Sequence, residues 1–211
     1  MRILLADDHA IVRAGLRRII TDAFPGATVD ETGSYSELFE KVRCAGWSLL
    51  VLDIALGDRN GLDLMPNLKE LRPDMPIIVL SMYSERQFII RALRCGASAY
   101  LTKDRAPEEL LQAIRSVLQG KRYLSDTAAR ELADHVAVVG TSTELPHQLL
   151  SPREYEVFLM LATAKSVSEI AAHFKLSVKT ISTYRARILE KMGMSSNAQL
   201  MRYAMQRGIV K

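Results

Sequence analysis

Three aspartates and a lysine carry most of the chemistry available to this sequence. Asp7 and Asp8 stand side by side after the short apolar run Ile3–Ala6, and Asp53 directly follows a second such run in LLVLD. Continuous apolar runs, as opposed to alternating ones, suit strands covered on both faces. In open α/β sheets, functional groups gather beyond the carboxyl ends of the strands, near the point where strand order reverses. If the strands ending at Ala6 and Asp53 are neighbours, roughly 4.8 Å apart, the three carboxylates converge. Two such charges about 4 Å apart repel by roughly 4 kcal/mol at an effective dielectric of about 20, so the cluster calls for a cation. An all-oxygen, partly hydrated site suits Mg²⁺.

Two further polar residues end later runs: Ser81 follows IIVL, and Lys103 follows AYLT. An ammonium and a hydroxyl facing three carboxylates make a place for a phosphoryl group. Metal and lysine neutralise its oxygens, and one carboxylate attacks phosphorus. Asp53, at a central strand end, is the natural nucleophile. Any one of these residues alone reads as a solvated strand end; five at successive strand ends do not. His9 adjoins the acidic pair, but a hard Mg²⁺ site does not want imidazole, so a helix-start role is expected. Tyr100 suits either plain packing or a switching aromatic, and Trp47 reads as a core or half-exposed residue.

The elements that must position these groups alternate. The runs Ile3–Ala6, Ala27–Val29, Leu49–Leu52, Ile77–Leu80 and Ala99–Leu101 are separated by amphipathic patterns near Ala10–Ala23, Ser36–Ala45, Leu62–Leu71, Glu85–Arg94 and Glu108–Gln119. Five such repeats predict a flavodoxin-like five-stranded parallel sheet of order 2-1-3-4-5 over residues 1–120. Residues 121–148 read as a linker with a helix over Thr127–Val138 capped by Ser125, and GTSTELPHQ (Gly140–Gln148) as its flexible part. Residues 149–211 read as a small four-helix domain. Ser151-Pro152-Arg153-Glu154 is a strong helix start, with Ser as cap, Pro at the first helical position and Glu three residues after the Ser. Further helices fit Ser168–His173, Val178–Lys191 and Ala198–Arg207.

Charge is unevenly placed. Residues 1–146 hold 18 Lys+Arg and 20 Asp+Glu, hence 18 − 20 = −2, whereas residues 147–211 hold 10 and 4, hence 10 − 4 = +6. A basic end on a slightly acidic body is expected where one end meets a polyanion. Within LSVKTISTYRARILEKMG (Leu176–Gly193), Ile181, Tyr184, Ile188 and Met192 recur at helical spacing and predict the core face. The opposite face carries Lys179, Ser182, Thr183, Ala186 and Arg187, slim enough to enter a major groove. With SVSEIAAHFKL before it, this makes a helix-turn-helix. Arg185, at the side of the helix, and Thr180, near its start, are candidates for phosphate contacts.

Residues 1 to about 120 resemble a two-component receiver domain, on LLADDHAIVRAGL, LLVLDIALGDRNGLDLM, IIVLSMYSERQFIIRAL and CGASAYLTKDRAPEELLQAI. Residues 149–211 resemble a LuxR-type helix-turn-helix domain, on LLSPREYEVFLMLA, SVSEIAAHF and LSVKTISTYRARILEKMGM. Together they mark the NarL/FixJ subclass of response regulators. The resemblance implies that Asp53 accepts phosphate from a sensor histidine kinase, and that Asp7 and Asp8, with the Ala55 carbonyl, bind Mg²⁺. It implies that Ser81 and Lys103 hold the phosphoryl oxygens, and that Tyr100 is the aromatic switch. It also implies homodimerisation on activation and binding to double-stranded promoter DNA. The chain is then a transcription regulator, not an enzyme, though it takes part in its own phosphoryl transfer and dephosphorylation. Three departures stand out. Gly57 occupies a position usually held by Pro, Thr163–Ser166 replaces a Gly-containing turn, and Ser182 and Ala186 stand where relatives often carry Lys.

Other classes are disfavoured. The first strand ends in adjacent aspartates, unlike the DxD of haloacid dehalogenase-type phosphatases, and both GxGxxG and a P-loop are absent. Cys44 and Cys95 show no metal spacing and are expected to be buried free thiols of a reducing compartment. The N-terminus reaches acid after four apolar residues, too soon for a signal peptide, and no run spans a bilayer. A soluble, cytoplasmic protein with no membrane partner is expected.

Overall fold

The computed structural model describes residues 1–44, 46–57, 61–82, 86–126, 128–130, 132–133 and 145–210, residue 86 through its main chain only. The chain divides into two compact units, Met1–Thr141 and Ser142–Lys211.

In the first unit β1 (Arg2–Ala6), β2 (Thr28–Thr32), β3 (Leu49–Asp53), β4 (Ile77–Ser81) and β5 (Ala99–Thr102) alternate with five helices. These are α1 (Ala10–Ala23), α2 (Tyr35–Cys44), α3 (Gly61–Leu71), α4 (Arg86–Arg94) and α5 (Ala106–Leu118). Every pairing is parallel. All five residues of β3 and of β4 are buried, which explains their unbroken apolar runs: both faces of the central sheet are covered. One face carries Ile3, Leu5, Val51, Ile78 and Leu80 against Leu16 and Ile20 of α1 and Leu110 and Ile114 of α5.

The expected order 2-1-3-4-5 is present and continues by one strand. Among the described residues the sheet has six strands, ordered β2-β1-β3-β4-β5-β6. The sixth, β6 (Tyr123–Leu124), pairs with Ala99 and Tyr100 of β5. It lies in the stretch expected to be linker. Two residues are too few to show a period, but they cover what is otherwise an open edge. Ser125 Oγ accepts the Ala128 amide at 3.2 Å, as a helix cap does. The remainder of the predicted Thr127–Val138 helix lies largely outside the described residues.

The first described element of the second unit is a 3₁₀ turn at Pro146–Leu149, which overlaps the stretch expected to be flexible. Gln148 Oε1 accepts the Leu145 amide at 2.9 Å, and His147 Nδ1 shares a 2.6 Å hydrogen bond with the Tyr203 hydroxyl. Four helices follow: α6 (Pro152–Ala162), α7 (Val167–Phe174), α8 (Val178–Lys191) and α9 (Asn197–Gln206). The predicted capping box is formed, with Ser151 Oγ accepting from the Glu154 amide and the Glu154 carboxylate from the Ser151 amide. Lys191 Nζ lies 2.6 Å from the same buried carboxylate. Burial pushes Glu154 up, but Lys191 and Ser151 outweigh it, so the carboxyl sits below its ordinary pKa.

The turn after α6 holds Ala164 at φ +63°, where glycine is usual. The left-handed conformation costs a residue with a Cβ roughly 1–2 kcal/mol, and glycine gives back part of this through its freer unfolded chain. Ala164→Gly is therefore expected to stabilise the second unit by about 1 kcal/mol. A melt in which its transition falls instead of rising rejects this account of the turn.

The cysteine expectation is corrected in part. Both thiols are free, but Cys44 is exposed and Cys95 only half-buried. Each sits at the end of a helix, where the apolar stripe runs out. Trp47 is buried, its Nε1 donating to the Lys41 carbonyl at 2.8 Å beneath the Arg2 guanidinium.

Candidate functional site

The ends of β1, β3, β4 and β5 bring the predicted acidic site together. Lys103 Nζ lies 2.7 Å from Asp53 Oδ2 and 2.7 Å from Asp7 Oδ2. Asp7, Asp8, His9 and Asp53 each place one ligand-capable atom so that all lie within 4.8 Å of one another. Asp7 and Asp53 are buried, Asp8 is exposed, and three carboxylates converging in this way fit a hard divalent cation such as Mg²⁺. Ala55 stands beside them, its amide donating to Asp53 Oδ1 at 3.1 Å. His9 caps α1 through its backbone only, while its Nδ1 lies 2.6 Å from Asp8 Oδ1.

Electrostatics sets Asp53 apart. Burial raises its pKa to about 6, Lys103 opposing and Asp7 reinforcing the shift. For Lys103, burial pulls the pKa down, but the Asp53 and Asp7 carboxylates outweigh it and the ammonium is held above its ordinary value. The site is thus a buried cation between two carboxylates.

Gly57 has φ +64° and donates its N–H to Asp8 Oδ2 at 3.3 Å. A proline at this position can do neither. Residues 58–60 of the same loop lie outside the described residues. Gly61 was not singled out from the sequence. A Cβ there would stand 2.7 Å from the Asp53 carbonyl oxygen and 2.9 Å from Ile54 Cα. The signal was present, a glycine opening an otherwise regular helical pattern, but only the fold shows what presses against it.

Ser81 is fully buried at the end of β4, and its carbonyl accepts the Lys103 amide at 2.7 Å. Tyr100 is 1% exposed and borders a cavity of about 300 Å³ lined also by Met82, Ile89, Thr102 and Ser125. The aromatic ring therefore adjoins space bounded by both the β4 end and the segment after β6.

In the second unit the predicted faces of α8 are separated as expected. Ile181, Tyr184 and Ile188 are buried with Met192, while Lys179, Ser182, Thr183, Ala186 and Arg187 are exposed. Ser177 Oγ caps the helix by accepting the Thr180 amide at 3.0 Å and lies 2.8 Å from Thr180 Oγ1. Arg185 is half-buried and donates from Nε to Asn197 Oδ1 at 2.7 Å, tying α8 to the start of α9. The turn from α7 into α8 passes through Lys175 at φ +54°, with the Leu176 amide returning to the Ala171 carbonyl at 2.9 Å.

Comparison with known proteins agrees with both halves. Residues 3–115 match the family described as response regulator receiver domain. Residues 148–204 match the bacterial regulatory proteins of the luxR family. The chain is 31% identical over 209 residues to the response regulator UvrY of Escherichia coli strain K12, covering 99% of this chain and 95% of that one. It is 34% identical over 212 residues to the response regulator GacA of Pseudomonas viridiflava, covering 100% and 98%. Among solved structures it is similar to the RcsB response regulator of Salmonella typhimurium, with a TM-score of 0.60 and 26% identity over 97% of this chain and 98% of that one. An RcsB–DNA complex aligns with a TM-score of 0.59 and 25% identity over the same shares.

Proposed function

Because the chain belongs to the response regulators that join a receiver domain to a LuxR-type helix-turn-helix domain, we propose that Asp53 is the residue through which it is switched. We assign the receiver to residues 1–120, the connection to 121–148 and the DNA-binding domain to 149–211. The observation that carries the reading is Lys103 Nζ at 2.7 Å from both Asp53 and Asp7. A phosphoryl group on Asp53 would bring oxygens for Lys103 and the Ser81 hydroxyl to hold. Asp53 attacks the phosphorus of a sensor kinase's phosphohistidine; the P–N bond breaks and the imidazole leaves with its electron pair. Asp7, Asp8 and Asp53, with the carbonyl of Ala55, would hold Mg²⁺, which when bound supplies charge neutralisation for the phosphoryl oxygens. Ser81 moves toward the phosphoryl group and Tyr100 turns with it, shifting an existing equilibrium between two conformers. The shifted state dimerises in the cytoplasm and pairs two DNA-binding domains on a two-fold-related promoter site, with α9 as a dimer surface.

The test is incubation of the full chain with acetyl phosphate and Mg²⁺, followed by intact mass and sizing. Gain of one phosphoryl group and a shift to dimer are expected in the wild type, and neither in Asp53→Asn. Phosphoryl uptake by Asp53→Asn at the wild-type level overturns the assignment.

On the DNA side, Lys179, Thr180, Ser182, Thr183, Arg185 and Arg187 are assigned to the groove or its phosphates. Affinity for duplex DNA is expected to fall steeply with salt, and Arg187→Ala to reduce the slope of log K against log salt by about 1. Ser182→Ala is expected to leave that slope unchanged and alter base preference. Equal slopes for wild type and Arg187→Ala remove Arg187 from the phosphate contacts.

A further inference from the structure

Asp7 is held by hydrogen bonds through its main chain and Oδ1, and through Oδ2 by an ion pair alone. Its amide donates to the Thr32 carbonyl at 3.1 Å. Its Oδ1 accepts the His9 amide at 2.7 Å, and its Oδ2 lies 2.7 Å from Lys103 Nζ. Its carbonyl oxygen accepts from Nη1 of Arg13, one turn into α1. The Arg13 guanidinium is braced in turn, its Nε lying 3.3 Å from Glu31 Oε2 on β2. Arg17 Nη1 lies 3.3 Å from the other oxygen of the same carboxylate. Arg13 is 18% exposed and Glu31 27%, so this bracing is only partly open to water. The carbonyl it grips belongs to the peptide that leads directly into Asp8, where the chain leaves β1 and turns toward α1.

We propose that Arg13 is a positioning residue of the acidic site: its guanidinium, braced by Glu31, fixes the Asp7 carbonyl and so sets the direction in which Asp7 and Asp8 present their carboxylates. The inference rests on the reading of that cluster as a divalent-metal site. The planar fork matters as well as the charge, since two N–H groups must serve a carbonyl and a carboxylate from fixed directions. Residues that orient ligands in this way typically change metal affinity tenfold to a hundredfold when removed.

The test uses Mn²⁺ bound to the full chain, read by electron paramagnetic resonance. Wild type is expected to bind, Asp8→Asn to lose most affinity, Arg13→Gln to weaken it about tenfold, and Arg13→Lys to fall between. In acetyl phosphate reactions, Arg13→Gln is expected to raise the Mg²⁺ concentration for half-maximal uptake, with the rate at saturating Mg²⁺ near wild type. Arg13→Gln binding Mn²⁺ like wild type, with Asp8→Asn impaired, overturns the inference and leaves the metal site standing. A wild type that binds no Mn²⁺, or an unimpaired Asp8→Asn, overturns both. Should Arg13→Gln melt well below wild type, Glu31→Gln decides. It removes only the brace and is expected to weaken Mn²⁺ binding about threefold, and unchanged affinity there overturns the inference.

Discussion

Without divalent metal at about pH 8, the Asp53→Asn protein is expected to be more stable than the wild type while taking up no phosphoryl group. Asp53 is fully buried, and burial above all raises its carboxyl from 3.8 to about 6. A raised acid pKa means that the folded chain binds the proton more tightly than the unfolded one. Between those two values the native state holds more protons, so stability falls as pH rises through the window. At about 1.36 kcal/mol per unit the loss approaches 3 kcal/mol, complete above the folded value. Asparagine has no charge to desolvate and escapes it. The amide keeps only one oxygen, however, where Ala55 and Lys103 use two. The expected net gain is therefore about 1–3 kcal/mol. Glu37, Asp104 and Glu154 are held below their ordinary pKa values and act in the opposite sense, so the difference between variant and wild type isolates Asp53. Urea unfolding in chelator at about pH 8 and pH 4 reads it. The variant should lead at the higher pH, and the gap should close at the lower. A variant no more stable at the higher pH shows that the ionised carboxylate carries no strain.

That strain bears on what the sequence made legible. Strand ends were readable because a strand buried on both faces stays apolar until its carboxyl end, so Asp7, Asp53 and Lys103 mark their own positions. The faces of α8 were readable for a related reason, a periodic stripe from Ile181 to Met192. Partners were less legible than positions. Nothing near Arg13 announces that it reaches back to the Asp7 carbonyl, because a basic residue in an amphipathic helix is ordinarily solvated. Lys191 meeting Glu154 joins residues 37 apart across two helices, beyond any local pattern. β6 is two residues long and owes its existence to the edge of β5. The thiols were misjudged because apolar neighbours in sequence do not bury a residue at the end of a helix.

Gly61→Ala is expected to damage both the fold and the site, although it adds only one methyl group. Gly61 opens α3, is buried, and donates its amide to the Ile54 carbonyl at 2.7 Å. That bond pulls the start of α3 onto the backbone just beyond Asp53. The added Cβ meets the Asp53 carbonyl oxygen at 2.7 Å and Ile54 Cα at 2.9 Å. Both are backbone atoms, one on a central strand, so no side-chain rotation relieves the contact. Either the Gly61–Ile54 bond breaks or β3 shifts at its end. Overpacking of this kind typically costs about 1–3 kcal/mol, and a displaced Asp53 also loses its 2.7 Å approach to Lys103. The variant is therefore expected to unfold at lower urea and to take up phosphoryl groups from acetyl phosphate at least tenfold more slowly at temperatures where it remains folded. Gly57→Ala is the control. It lies in the same loop, its Cβ meets nothing within 4 Å, and only its left-handed backbone is penalised. Expected there is a loss of about 1 kcal/mol from that backbone, with uptake largely preserved. If the two variants behave alike, the close approach behind Asp53 is not what positions it.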